Sequence, residues 1–235
     1  MKTIHAKAEI LSPDISNPKE IDEMLQRMEL AGRTCYKSTD KITPESARIF
    51  IKKLVANHHE AMLEHASMTV RFTVDRGVTH ELVRHRIASF AQESTRYCNY
   101  SNDKFGNEIT TIKPIFFEGN PSSDKFNEWY KAMCDAEEHY FRLIELGATA
   151  QEARTVLPNS LKAEIIVTAN MREWRHFFNL RAAAVTGMPH PQMLEVAVPL
   201  FEQCKAVFPE LFSDIQIPEK ILEMYGRKGN INHGC

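Results

Sequence analysis

Apolar and polar positions along the chain switch between two periods, and the switches predict several helices and a few strands. Over residues 3–11, Ile4, Ala6, Ala8 and Ile10 alternate with His5, Lys7 and Glu9, the period of two expected of a half-buried strand. A helix follows, with Asn17 as N-cap, Pro18 at the first helical position and Glu20 three residues after the cap. Ile21, Leu25 and Met28 then recur at helical spacing until a stop near Gly32. Thr43 and Pro44 open a second helix that carries Ile49, Phe50, Leu54 and Val55 on one side. The clearest strand lies at 66–77, where Met68, Val70, Phe72 and Val74 alternate with Thr69, Arg71, Thr73 and Asp75 before Gly77 ends it.

A short helix capped by Thr79 is expected over 79–86, and residues 108–117 are β-like. Residues 123–147 form a long helix with Phe126, Trp129, Met133, Tyr140 and Ile144, closed by Gly147; Thr149 and Glu152 make a capping box for a short helix ending at Pro158. Residues 161–170 read as a strand, with a helix as the other reading, while 170–183 and 191–208 are helices, the second interrupted by Pro199. No regular β-α-β alternation appears, so the fold class is α+β, a small mixed or antiparallel sheet packed by several helices. No linker-like stretch and no internal repeat divides the chain, and residues 1–235 are expected to be a single domain.

Composition narrows the partners. The chain has 235 residues, 43% hydrophobic and 26% charged, with a formal net charge of −2, so a broad nucleic-acid-binding face is not expected and any bound anion should be small. No apolar run suits a membrane span and "MKTIHAKAEILS" lacks the apolar stretch of a secretory signal, so a cytoplasmic protein is expected. Five scattered cysteines without a Cys-x-x-Cys pair suggest neither a disulfide framework nor a zinc ribbon, and reduced thiols are expected. No Gly-x-Gly-x-x-Gly or P-loop is present.

Candidate chemistry concentrates in "RHRIASFAQESTRY", residues 84–97, where arginines and hydroxyl donors gather in a nearly neutral chain. Arginine's planar fork suits phosphate, and Ser89, Ser94 and Thr95 add donors, so the stretch reads as a pocket for small anions or as a salt-bridged turn. A metal site is not expected: His80 and His85 are five residues apart, about 140° around a helix, and His59 and His65 also miss one face, although His58 and His65, seven apart, share one. On the late helix Met171, Trp174, Phe177 and Phe178 form an apolar face with Arg181 in its middle, while Arg172, His176 and Asn179 lie opposite. A guanidinium placed there needs an internal carboxylate or a bound anion, unless the helix ends before it. Asn170 with Glu173 reads as a capping box. Cys98 has no base assigned to it, and no enzyme nucleophile is apparent.

The Arg-His-Arg, seven residues, Ser pattern of "RHRIASFAQES" resembles the signature of the flavin-dependent thymidylate synthases. "HHEAMLEHASMTVRF", "THELVRH", "QEARTVLP" and "TANMREWRHFFNLR" extend the resemblance over residues 45–185. It implies an α+β homotetramer with active sites at subunit junctions, making dTMP from dUMP with 5,10-methylenetetrahydrofolate as carbon donor and FAD reduced by NADPH. By motif, it assigns His59, Ala61, Arg84, His85, Arg86, Gln92, Asn170, Arg172 and His176 to the flavin. Glu81, Arg84, Gln92, Glu93, Ser94, Thr95, Arg96, Arg154 and Arg181 fall to dUMP. Arg181 takes the catalytic role of polarising uracil toward ionisation at N3, and Ser94 becomes a substrate-binding hydroxyl. Two positions depart from the pattern of some members: Glu81 stands where they have Gln, and Ala61 where they have Thr.

Overall fold

The computed structural model describes residues 1–102, 106–117 and 123–226. Cys235, expected as a reduced thiol, lies outside the described residues; Cys35, Cys98, Cys134 and Cys204 are free. The chain opens with β1 (Lys2–Ile4) and β2 (Lys7–Ser12), where the sequence pattern predicts one strand. The alternation is continuous, but the pairing changes: β1 runs parallel to β5 (Thr110–Ile112), with Lys2 opposite Thr110 and Ile4 opposite Ile112. The second sheet has the order β2, β3 (Ser67–Asp75), β6 (Lys162–Asn170), β4 (Ala88–Gln92). Periodicity reports a strand's faces and is silent on which partner takes its hydrogen bonds. The same sheet resolves 161–170 as a strand, and the alternating side chains Met68, Val70, Phe72 and Val74 of β3 are each 0% exposed.

Helix α1 (Pro18–Cys35) starts as expected, with the Asn17 side chain accepting from the Lys19 amide, but it runs through Gly32. Gly32 serves close packing there: a Cβ would lie 2.6 Å from Cε1 of Phe50. Helix α2 (Ser46–Ala56) begins two residues later than Thr43 and Pro44 predict and buries Ala47, Ile51, Leu54 and Val55, leaving Ile49 74% exposed. Helix α3 (Arg76–Leu82) follows β3 directly; its N-cap is Asp75, which accepts from the Val78 amide at 2.8 Å, and Thr79 lies inside the helix. Helix α4 (Asp124–Glu145) and its glycine stop, with Gly147 at φ +91°, match the expectation, as does the Thr149–Glu152 capping box before α5 (Ala150–Ala153). Helix α6 (Met171–Arg181) is capped by Asn170, and α7 (Pro191–Val207) accommodates Pro199. Among the described residues, no helix is long and apolar enough to cross a membrane.

Two compact units emerge. One comprises Met1–Lys7, Phe72–Arg84 and Ala91–Ile166; the other comprises Ala8–Arg71, His85–Phe90 and the chain from Val167 onward. The core of the first includes Tyr100, Ile109, Tyr140, Ala153 and Leu161. In the second, Met171, Trp174, Phe177 and Phe178 of α6 are buried, with the Phe178 ring 5.3 Å from Phe201 and 5.4 Å from Phe212. The Trp174 indole N–H donates to the Met68 carbonyl at 3.0 Å, so β3 and α6 are joined by a buried bond as well as by packing.

Candidate active site

The first unit holds most residues assigned to the substrate. Thr79, 1% exposed on α3, accepts at its hydroxyl from the Gln92 side-chain amide at 3.1 Å and donates to the Arg76 carbonyl at 2.9 Å, which fixes the end of β4 against the helix. The chain then turns over residues 94–98: Tyr97 and Cys98 amides donate to the Ser94 carbonyl, and the Arg96 amide donates to Ser94 Oγ at 3.3 Å. Arg154, from the turn after α5, reaches across 59 residues of sequence to donate to Thr95 Oγ1 at 3.4 Å. Thr95 is buried, whereas Arg84, Arg96 and Arg154 are exposed. The exposed guanidinium groups are donors of the kind that pair with a small anion.

Glu93 is held by contacts with the start of β6. Its carboxylate takes Lys162 Nζ at 2.9 Å and the Glu164 amide at 3.3 Å, while its own amide donates to the Glu164 carbonyl at 2.8 Å. Burial tends to lower the Lys162 pKa, but the Glu93 contact outweighs it and holds the ammonium above its usual value. Lys162 was not legible as part of this cluster, since it begins a strand distant in sequence. Glu81 is half-buried, one turn from Arg84, whose amide donates to its carbonyl.

The second unit carries the remaining assigned residues. His59 and Ala61 lie exposed at the start of a 3-10 turn over Glu60–His65. Arg86, Arg172 and His176 are exposed, with Arg172 Nη1 on Glu64 Oε1 at 2.6 Å. The Asn170 side chain accepts from the Glu173 amide at 2.9 Å, but Glu173 does not close a capping box; its carboxylate sits 3.0 Å from His85 Nδ1. His85 is only 6% exposed, and its Nε2 accepts from Arg181 Nε at 3.2 Å. Burial is the main cause that holds the His85 pKa below the usual histidine value. Arg181 is half-buried, and its Nε donates to the imidazole of His85, a contact the helical wheel did not indicate.

The fully enclosed guanidinium on α6 is Arg175, which the wheel did not single out. It is 4% exposed, donates to Glu60 Oε1 at 3.0 Å and to both oxygens of Asp214 at 2.8 and 2.7 Å, and bonds the Leu211 carbonyl. His85, Glu173 and His176 bring their ligating atoms within 4.8 Å of one another. Both His85 ring nitrogens are engaged there, one by the Glu173 carboxylate at 3.0 Å and the other by the Arg181 guanidinium at 3.2 Å.

Both units therefore gather arginines with amide and hydroxyl donors, the equipment of an enzyme that handles small anions. The family model described as thymidylate synthase complementing protein matches residues 19–210. Flavin-dependent thymidylate synthases of Geobacter sulfurreducens and Corynebacterium efficiens are each 34% identical to the chain, over 197 and 200 residues, covering 79% and 81% of it and 79% of each relative. A UMP/dUMP methylase, PolB, from Streptomyces cacaoi, solved with 5-Br dUMP, shares the fold at a TM-score of 0.70 and 23% identity, covering 97% of this chain and 99% of that one. The chain belongs to the flavin-dependent thymidylate synthase family, and it is an enzyme of the methyltransferase class.

Proposed function

We propose that the protein makes dTMP by reductive methylation of dUMP, with 5,10-methylenetetrahydrofolate as carbon donor and NADPH as the source of reducing equivalents for a bound FAD. The observation that carries this reading is the convergence of Arg154 on Thr95, within the turn that also holds Ser94 and Arg96. Family membership supports it, as do the names of the relatives and the pyrimidine nucleotide held by the methylase of similar fold. The chain acts as a single catalytic domain in the cytoplasm, assembled as a homotetramer with active sites at subunit junctions.

In this reading Arg84, Ser94, Thr95, Arg96 and Arg154 bind the dUMP phosphate and sugar, while Glu81, Gln92 and Arg181 orient the base. Glu93, neutralised by Lys162, holds the turn in shape. Arg181 favours loss of the N3 proton of uracil by placing a fixed positive charge beside it, which makes C5 nucleophilic without an enzyme nucleophile.

The donor set of the second unit fits FAD: Arg86, Arg172 and His176 are exposed and suit the pyrophosphate and isoalloxazine oxygens, with His59, Ala61 and Asn170 nearby in the assignment. When bound, the reduced flavin supplies the hydride of the methyl group. The Arg172 guanidinium already meets a carboxylate, Glu64, so it is held extended for an anion that outcompetes a half-exposed partner. Arg172→Ala is expected to weaken FAD binding about tenfold or more, from the roughly 1.5–3 kcal/mol of a hydrogen bond to a charged group. Flavin fluorescence titration of the apoprotein checks this, with dUMP affinity unchanged.

The deciding assay for the reaction is tritium release from 5-labelled dUMP. Release that requires folate, NADPH and FAD together supports the reading; no release with all three present overturns it.

A further inference from the structure

His85 is buried, and both its ring nitrogens are engaged by residues from the two ends of α6. Nδ1 lies 3.0 Å from Glu173 Oε1, in the first turn, and Nε2 lies 3.2 Å from Nε of Arg181, the last residue of the helix. An arginine Nε can only donate and a carboxylate can only accept, so the proton sits on Nδ1 and Nε2 is the bare acceptor. The imidazole is thereby fixed in one neutral tautomer. The depressed pKa of His85 agrees with that state.

The surroundings hold the ring in place. Its edge meets Phe177 with centroids 5.0 Å apart and His176 at 5.8 Å, and the Glu173 amide is tied to the Asn170 side chain at 2.9 Å. Glu173 and His85 are 7% and 6% exposed, so water competes poorly for either bond. Arg181 is thus anchored through Nε by a chain that starts at the cap of its own helix.

We propose that Glu173 and His85 are positioning residues that set the plane of the Arg181 guanidinium and hence its aim at the pyrimidine of dUMP. This rests on the reading that Arg181 meets dUMP. Long side chains lose affinity and rate to their own rotamer freedom, and an anchored Nε removes that freedom before substrate arrives. The tautomer matters as much as the bond. In Glu173→Leu the acceptor for Nδ1–H is lost, so nothing holds the ring proton on Nδ1, and its transfer to Nε2 sets it against the Arg181 N–H, donor against donor. His85→Gln keeps an acceptor near the Nε2 position, whereas His85→Leu removes it.

The test uses the flavin-loaded enzyme and compares the wild type with His85→Leu, His85→Gln, Glu173→Leu and Arg181→Ala. Readouts are kcat, KM for dUMP, flavin content, and side-chain ¹⁵N resonances of histidine and arginine. His85→Leu and Glu173→Leu should lower kcat at saturating FAD about tenfold to a hundredfold, the cost of a small misplacement of a catalytic group. His85→Gln should recover much of that loss, which a merely structural role would not allow. The wild-type His85 ring should show the Nδ1–H tautomer, and the Arg181 Nε–H should exchange slowly, a protection lost in His85→Leu.

Wild-type turnover in His85→Leu alongside a slow Arg181→Ala overturns the positioning role and leaves the dUMP reading intact. If the wild type itself releases no tritium, the dUMP reading fails. The resonances then decide the anchor alone, and an Nε–H indifferent to His85→Leu refutes it. Should His85→Leu not fold, a ring proton found on Nε2 in the wild type, or undiminished kcat in Glu173→Leu, overturns the proposal.

Discussion

Arg181→Ala is expected to retain bound flavin and to lose dUMP turnover by about a hundredfold to a thousandfold, the loss typical of removing one donor aimed at developing charge. Arg181 closes α6, so truncation there costs no internal helix bond. Its flanking residues Phe178 and Ala182 remain buried, and the neighbouring Arg172 and His176 keep their exposed positions. What disappears is a cationic guanidinium together with its bond to His85. In the proposed reading the N3 anion of uracil then lacks its counter-charge, and kcat should fall far more than KM, because the residues proposed for the phosphate end, Arg154, Thr95 and Arg96, are untouched. Turnover is read by tritium release and flavin by its absorbance. Normal turnover in Arg181→Ala would show that another group activates the base.

The largest expected effect on stability belongs to a residue outside the chemistry. Arg175→Leu should destabilise the protein by about 3–5 kcal/mol, the cost of breaking a buried ion pair by removing one partner. The substitution strands the Glu60 and Asp214 carboxylates and the Leu211 carbonyl around an apolar side chain. Asp214 is about half exposed, so water recovers part of its share and the lower end of that range is the better expectation. In urea, the midpoint should shift with little change in slope. The acid limb supplies a second check. The hydrogen bond from Arg175 holds the Asp214 pKa below the usual aspartate value of 3.8, so the pair's contribution is complete above about pH 4 and is lost as pH falls through the lowered value. Arg175→Leu should flatten that limb.

Legibility differed between faces and partners. The apolar faces of β3, α1 and α6 could be read directly, because burial of Met68, Val70, Phe72 and Val74, or of Met171, Trp174, Phe177 and Phe178, follows the periods of two and 3.6. Caps set by short-range geometry were also readable where one local acceptor served, as at Asn17, Thr149 and Asn170. Helix starts were misplaced where two candidates competed: Asp75 rather than Thr79 caps α3, because β3 delivers the chain straight into the helix. Strand β4, inside the arginine-rich stretch, was invisible since its five residues, three of them small, carry no strong apolar–polar alternation.

Among candidate site residues, the run from Arg84 to Arg96 could be read as a small-anion pocket or a salt-bridged turn because its donors are contiguous. Lys162 beside Glu93, 69 residues apart, and Glu173 beside His85, 88 residues apart, were not. Glu173 had a local explanation as a capping-box member, and that explanation displaced the long-range one. Arg175 was missed for a related reason: a helical wheel ranks a face by its apolar members, whereas Arg175 is enclosed by Glu60 and Asp214 from two other segments.

The amino-acid sequence by itself determined the α+β class, the buried faces, the family, and the stretch in which cations concentrate, since each depends on period, composition or contiguous spacing. Only the tertiary structure decided which strands pair, that Arg154 lies on Thr95, and that one neutral tautomer of His85 joins Glu173 to Arg181. Those are contacts between groups far apart in the chain, and the hydrogen-bonding capacity of a side chain does not say which distant partner folding will bring to it.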